Sequence, residues 1–153
     1  FYVYAMNVYL AEYGRSLFFH SGKVANVLSA TNIQGLQAAM PADGHIAILI
    51  SHTGENERLV EIAKMLRKNK TKVIVLTSKT EGTLAPYADE LLYAAGQKKV
   101  EEFWSSMFFA SGKYLLDILY GMEFSRRYEE NLKLNKKYEQ SGEKLLWGLI
   151  EDI

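Results

Sequence analysis

Residues 46–56 read IAILISHTGEN, a run of five apolar residues that gives way to hydroxyl, imidazole, glycine and amide groups. Five consecutive apolar residues, three of them isoleucine, favour a strand that is covered on both faces, as in a parallel sheet. Apolar residues then recur at helical spacing from Leu59 to Leu66, which predicts a helix over residues 55–68. The stretch therefore predicts a buried strand, a tight turn and the amino terminus of a helix.

The turn between this strand and this helix has the composition of an anion site. The first N–H groups of a helix have no partner within the helix, and the helix dipole makes that end positive. Ser51, Thr53 and Asn56 surround this end with hydrogen-bonding side chains, and Gly54 lets backbone approach a ligand closely. The same residue types are also ordinary helix caps. Two interpretations are open at this point, a phosphate site and a plain N-cap.

Strands and helices alternate along the first 95 residues, which is the pattern of a doubly wound α/β sheet. Apolar runs predict five strands, at residues 1–6, 24–28, 46–50, 72–77 and 89–95. Helical spacing predicts helices over residues 9–19, 31–40 and 55–68, with a one-turn connector at 83–87. From Lys98 the sequence predicts only helix, with separate helices over 123–138 and 143–153 divided near Ser141 and Gly142.

Polar residues follow two other predicted strands. Asn7 follows the first strand, and Thr77 and Ser78 end the fourth. The carboxyl ends of parallel strands meet at one edge of a sheet, so these side chains are expected beside the loop after residue 50. His52 lies within that loop. Asn7 also has a plain interpretation as a helix cap.

Composition excludes several classes of protein. A chain of 153 residues fits one domain, and its zero formal net charge gives no reason to expect nucleic-acid binding. The absence of cysteine excludes disulfides and fits a reducing cytoplasm. The apolar runs are too short for a membrane span, and no signal peptide is visible. His20 and His45 lack metal-ligand neighbours in sequence, and we predict neither a metal nor a cofactor.

The segment SHTGEN at residues 51–56 resembles the Ser-x-Ser-Gly-x-Thr phosphosugar loop of sugar isomerase (SIS) domains. Thr53 stands for the second serine and Asn56 for the final threonine. The resemblance continues through residues 73–78, 84–85 and 88–89 and covers most of residues 1–122. In that family the first turn carries Gly-x-Gly-x-Ser; here Val3 and Ala5 stand at the glycines and Asn7 at the serine.

This resemblance implies a flavodoxin-like, five-stranded parallel sheet with helices on both faces and extra helices at the carboxyl terminus. It divides the chain into a phosphosugar-binding domain at 1–122 and a helical extension at 123–153, which we expect to make oligomer contacts. The ligand-binding residues that it implies are Asn7, Ser51, His52, Thr53, Gly54, Asn56, Thr77 and Ser78.

Two classes of function use such a loop. A sugar-phosphate aldose–ketose isomerase also needs a base that moves a proton between carbons, and Glu101 or Glu102 is the candidate, much as a helix-start glutamate serves in SIS isomerases. Otherwise no catalytic residue is predicted. The chain looks more like the effector domain of RpiR-type transcription regulators, which implies a cytoplasmic homodimer or tetramer. DNA would then be bound only through an amino-terminal helix-turn-helix domain absent here, because a chain that begins at Phe1 in a strand is expected to be part of a longer protein.

Overall fold

The computed structural model describes the main chain of residues 1–96 and 104–151 and the side chains of residues 1–96 and 106–142. One parallel sheet has the strand order β1 (Tyr2–Val3), β2 (Ile46–Ile50), β3 (Lys72–Thr77), β4 (Glu90–Tyr93). The helices of the described residues are α1 (Asn7–Phe19), α2 (Thr31–Ala39), α3 (Glu57–Lys68), α4 (Trp104–Arg126) and α5 (Tyr128–Glu151). A 3-10 turn at Ala85–Tyr87 confirms the predicted connector.

The central strands are covered on both faces. Leu49 of β2 and Val75 of β3 belong to a core shared with α2 and α3. Their neighbours Ile50 and Leu76 belong to a second core shared with α1 and α4. Successive residues of a strand point to opposite faces, so an unbroken apolar run is what a strand between two helical layers requires. The predicted doubly wound α/β class is confirmed, and β2 and β3 have the predicted bounds.

The sequence predicts five strands, whereas the residues that the structure describes form a sheet of four. Residues 24–28 form no strand and make one parallel bridge, between Leu28 and Tyr2. Leu28 N–H donates to the Phe1 carbonyl at 2.8 Å, so this segment does lie beside β1 in the flavodoxin-like order. Val24 is 93% exposed. Ala25 and Val27 do pack against the core shared with α1 and α4, so the segment is held by side-chain contacts while its backbone pairing stays limited to Leu28.

The carboxyl-terminal helices divide at a different place from the predicted one. The break lies at Arg127, and α5 continues through Ser141 and Gly142. The buried side chain of Asn131 donates to the Phe124 carbonyl at 3.0 Å and so satisfies the end of α4. A glycine inside a helix costs only about 1 kcal/mol, which is too little to end it. Although these helices have 23 and 24 residues, no helix of the described ranges is apolar enough to cross a membrane.

The first strand is shorter than predicted because the chain turns at Ala5, which has a φ of +51°. A left-handed conformation crowds the Cβ of an L-residue and costs about 1–2 kcal/mol. The turn starts α1 directly, with the Val8 N–H bonded to the Ala5 carbonyl at 3.2 Å. Ala5 is one of the two positions at which the SIS resemblance places a glycine. The backbone there adopts a glycine conformation even though the glycine is absent.

We predict that Ala5→Gly stabilises the protein. Glycine adopts a positive φ without strain, so the free energy of unfolding should rise by about 0.5–1 kcal/mol. Urea denaturation measures the change. The matched control is Ala110→Gly at an exposed position inside α4, which should lower the free energy of unfolding by about 1 kcal/mol. An equal loss in both variants would show that Ala5 is not strained.

Candidate anion site at the carboxyl edge of the sheet

The loops after β1 and β2 meet where the chain changes direction. From β1 it enters α1 on one face of the sheet, and from β2 it enters α3 on the other. The Asn7 amide connects the two loops by donating to the Ile50 carbonyl at 3.3 Å. Asn7 is the first residue of α1 and Met6 is its cap, so the cap interpretation of Asn7 is wrong. In open α/β sheets, ligands bind at such a switch point.

The loop of residues 51–56 is closed by its own side chains. Buried Ser51 accepts a hydrogen bond from the Gly54 N–H at 3.1 Å through its Oγ. Asn56 caps α3, with its Oδ1 accepting from the Leu59 N–H at 3.0 Å, and the helix begins two residues later than predicted. Thr53 is exposed, and its Oγ1 lies 3.4 Å from the Glu55 nitrogen. The cap interpretation of Asn56 is therefore confirmed, while the Thr53 hydroxyl stays accessible to a ligand.

The end of β3 supports this loop through one carbonyl. The His52 oxygen accepts from the Ser78 N–H at 3.0 Å, from the Ser78 hydroxyl at 2.7 Å and from the Thr77 hydroxyl at 3.3 Å. Thr77 is only 1% exposed. The structure thus places both residues beside the loop, as expected, and both hydroxyls hold the loop's main chain.

A second support comes from the turn that follows β3. The Gly54 carbonyl accepts from the Leu84 N–H at 3.0 Å and from the Thr83 hydroxyl at 3.2 Å. A Cβ added to Gly82 would lie 3.0 Å from the same oxygen, so the two backbones approach too closely for a side chain. Gly54 itself has a φ of +67°. Glycine is required at this position for both its conformation and its contact.

Glu55 adds further contacts between the loop of residues 51–56 and the turn after β3. Its carboxylate pairs with the Lys79 ammonium and accepts from the Thr83 hydroxyl at 2.8 Å. The hydrogen bond from Lys79, followed by those from Thr83, lowers the pKa of the Glu55 carboxyl. Sequence reasoning missed Lys79, Gly82 and Thr83, because a contact across about 25 residues leaves no periodic signal.

The His52 ring is turned into the protein. It packs edge-on against Phe108 of α4, with ring centroids 4.7 Å apart. A Cβ on Gly96 would lie 2.6 Å from its Nε2, so the ring also fills the space beside that glycine. Burial lowers the pKa of the imidazole. The main chain of His52, rather than its ring, is the part that belongs to the loop.

All eight sequence-predicted ligand residues lie at this one edge, in the loops after β1, β2 and β3 or at the helix and strand ends that flank them. Hydrogen bonds connect the three loops, as described above. The candidate bases Glu101 and Glu102 lie outside the described residues, as does the predicted helix start at Lys98. Within the described part of the chain, no three His, Cys, Asp or Glu residues cluster as a metal site would need.

We predict that His52 makes the protein less stable in mild acid. Its pKa is lowered in the folded state, so the unfolded chain takes up the proton first as the pH falls below about 6.5. The urea midpoint of the wild type should drop between pH 7.5 and 5.5, and that of His52→Gln should drop less. The lowered pKa values of Glu55, Asp89 and Asp117 act at lower pH. An equal drop in both proteins would contradict the prediction.

The fold and the contacts at the carboxyl edge of its sheet together define a doubly wound α/β protein whose candidate site lies at the switch point. Residues 7–112 match the family model described as SIS domain. That match covers more than half of the chain, and the chain therefore belongs to the SIS domain family.

Among curated proteins, the HTH-type transcriptional regulator HexR of Escherichia coli (strain K12) is 44% identical over 46 residues, which is 30% of this chain and 16% of HexR. Among solved structures, the sugar isomerase domain of the RpiR transcription factor from Sphaerobacter thermophilus has a TM-score of 0.78 at 16% identity and covers 91% of this chain and 76% of that one.

Two further solved structures share the fold. The Vibrio vulnificus NanR protein complexed with ManNAc-6P has a TM-score of 0.77 at 17% identity, over 90% of this chain and 53% of NanR. A putative phosphosugar isomerase from Bacteroides fragilis NCTC 9343 has a TM-score of 0.72 at 18% identity, over 86% of this chain and 73% of that one. This chain thus spans about half the length of NanR. At these identities the likeness shows the fold alone.

Proposed function

We propose that this chain binds a phosphorylated sugar at residues 51–56 and is the effector-sensing domain of a transcription regulator whose helix-turn-helix domain lies outside this sequence. The observation that carries the proposal is the loop of residues 51–56. Main-chain hydrogen bonds from the end of β3 and the turn after it hold this loop, which leads into the amino terminus of α3 at the switch point. The HexR match and the fold shared with RpiR and NanR support the regulatory part. A cytoplasmic location belongs to the same proposal.

The chemistry of the loop suits a dianionic phosphate. The positive end of α3 and the nearby N–H groups attract the anion, and the exposed Thr53 hydroxyl adds a donor. Buried Ser51 fixes the Gly54 amide and so shapes the loop around the phosphate. Thr77 and Ser78 contribute by holding the His52 carbonyl. Asn7 completes the site from the β1 side, where a sugar hydroxyl would meet its amide.

We predict that Ser51→Ala and Thr53→Ala each weaken the binding of sugar phosphates. Thr53→Ala removes a hydrogen bond to a charged group, which contributes about 1–3 kcal/mol, and Ser51→Ala releases the Gly54 amide that shapes the loop, so Kd should rise about 5- to 150-fold. A thermal-shift panel on the wild type finds the ligand, because a ligand of the folded state raises its stability; calorimetry then gives Kd. Ser125→Ala, an exposed serine of α4, is the matched control. Equal affinity in all four proteins would remove the phosphate site.

The alternative function, aldose–ketose isomerisation, needs the same phosphate loop and a base. Within the described part of the site, the Glu55 carboxylate is engaged by Lys79 and Thr83, and the His52 ring packs against Phe108. We therefore predict no interconversion of aldose and ketose phosphates above the uncatalysed rate, measured by NMR of the sugar ligands. Turnover that is lost in Glu101→Gln or Glu102→Gln would replace the sensing function by isomerisation.

A homodimer or tetramer also belongs to the proposal. Residues at helical spacing leave an exposed apolar stripe on α4, formed by Met107, Tyr114, Ile118 and Met122. The expected contact region, 123–153, is partly used within the chain, because Tyr138 stacks on Phe19 with centroids 4.8 Å apart. We propose that α4 shares the contact between copies with that extension, which follows the sugar-binding domain of residues 1–122.

A further inference from the structure

A groove of about 430 Å³ lies at the amino edge of the sheet, opposite the candidate anion site. The first residues of β2 and β3 line it with Ile46, Ile48 and Ile74. Phe18, near the end of α1, and Leu119 of α4 line its sides. Apolar side chains thus surround an open space that the proposed sugar phosphate does not use.

The two faces of the sheet are covered unequally at this edge. On the face shared with α2 and α3, Ala47 and Val73 are at most 3% exposed. On the face shared with α1 and α4, Ile46 is 61% exposed, and Ile48 and its register partner Ile74 are only half-buried. Central strands of a parallel sheet are normally buried on both faces. Within the described residues, the layer formed by α1 and α4 therefore leaves the start of these strands uncovered.

The Phe1 nitrogen is buried beside this groove. It donates to the Asn26 carbonyl at 2.7 Å, and both residues line the groove. Burial lowers the pKa of this amino group to about 6, because a charged ammonium is unfavourable where water is excluded. A peptide N–H would keep the hydrogen bond to Asn26 without a charge. The surroundings of this nitrogen therefore suit a peptide bond better than an ammonium group.

The register of β1 shows where a residue bonded to that nitrogen would lie. Tyr2 pairs with Leu49 of β2 in parallel, which puts Phe1 level with Ile48. If the same direction continues, the second residue before Phe1 lies level with Ile46. A chain that precedes Phe1 would thus begin directly beside the uncovered isoleucines, whatever its sequence.

We propose that the segment which joins the helix-turn-helix domain to Phe1 fills this groove and covers Ile46, Ile48 and Ile74 with apolar side chains of its own. This inference rests on the proposed function, which places that domain before Phe1. It adds a surface of this chain that holds the connection between the two domains. Because α1 extends from Asn7 at the candidate anion site to Phe18 in the groove, the segment would contact the same helix as the ligand.

The test uses the absence of cysteine from residues 1–153. Ile46→Cys places one thiol in the groove, and mass spectrometry of peptides measures how fast a maleimide modifies it. The rate is compared in the chain of 153 residues, in a chain extended by about 20 residues before Phe1, and in the whole protein. As a helix, an extension of about 20 residues spans about 30 Å, enough to cross a small domain. The thiol should react at least about tenfold more slowly in both longer proteins.

Two matched variants control for folding and for general access. Ala47→Cys, buried on the other face of the same strand, should react slowly at every length, which shows that the shortest chain is folded. Ser125→Cys, at an exposed position of α4, should react at the same rate at every length. Equal rates for Ile46→Cys in the three proteins overturn the inference.

Other occupants of the groove give other results. Protection of Ile46→Cys that requires the whole protein indicates the helix-turn-helix domain itself. Protection in the chain of 153 residues that increases with protein concentration indicates a second copy. Either result overturns the inference.

The proposed function and this inference fail in different ways. Sugar-phosphate binding that depends on Ser51, together with equal reactivity of Ile46→Cys at every length, overturns the inference alone. Protection by the extension without binding of any phosphorylated sugar overturns the sugar-binding function, while the connection between the domains stands. A reading frame without a helix-turn-helix domain before Phe1 overturns both the regulatory function and the inference.

Discussion

The site depends on two carbonyl groups in the loop after β2. The Ser78 N–H holds the His52 oxygen and the Leu84 N–H holds the Gly54 oxygen, each at 3.0 Å. These bonds occupy two main-chain acceptors of the loop, so in the proposed site an anion meets the positive end of α3 rather than these oxygens. Without them, the oxygens could rotate toward an incoming anion and repel it. The electrostatic character of this edge is therefore a consequence of how β3 and its turn are placed.

The dependence of the site on contacts between distant parts of the chain explains which parts of the structure could be predicted from sequence. The bounds of β2 and β3 follow from local patterns, because a strand between two helical layers must be apolar at every position. The carbonyl contacts link residues about 25 to 30 positions apart, and no local pattern encodes them. Residues 24–28 show the same limit. Their sequence is strand-like and Ala25 and Val27 pack against the core, but the backbone pairs with β1 only at Leu28, and no local pattern encodes that limit.

The candidate site residues divide by physical role rather than by residue type. Thr77, Ser78 and the capping Asn56 look like ligand groups in sequence, yet in the structure their side chains bond main-chain atoms of the loop or helix. Thr53 is exposed, and Asn7 lies at the crossing of the two loops. Hydroxyl and amide groups serve equally well as supports and as donors, so their presence in a loop does not reveal which they are. Only the partners distinguish the two roles.

A sensing domain must also pass the bound state on, which requires a ligand that prefers one arrangement of the protein. Under the proposed function, α1 is the helix that contacts both the site and the carboxyl-terminal helices. Asn7, its first residue, touches the end of β2 at the site, and Tyr13 donates to Asp117 of α4. At the other end of the same helix, Phe19 stacks on Tyr138 of α5. A ligand that draws the Asn7 amide away from the Ile50 carbonyl would displace the first residue of α1, and a rigid helix would transmit that displacement along its length. α1 contacts α4 and α5, the two helices that carry the proposed surface between copies. Ligand binding at the sheet edge and oligomer assembly would therefore be linked through α1.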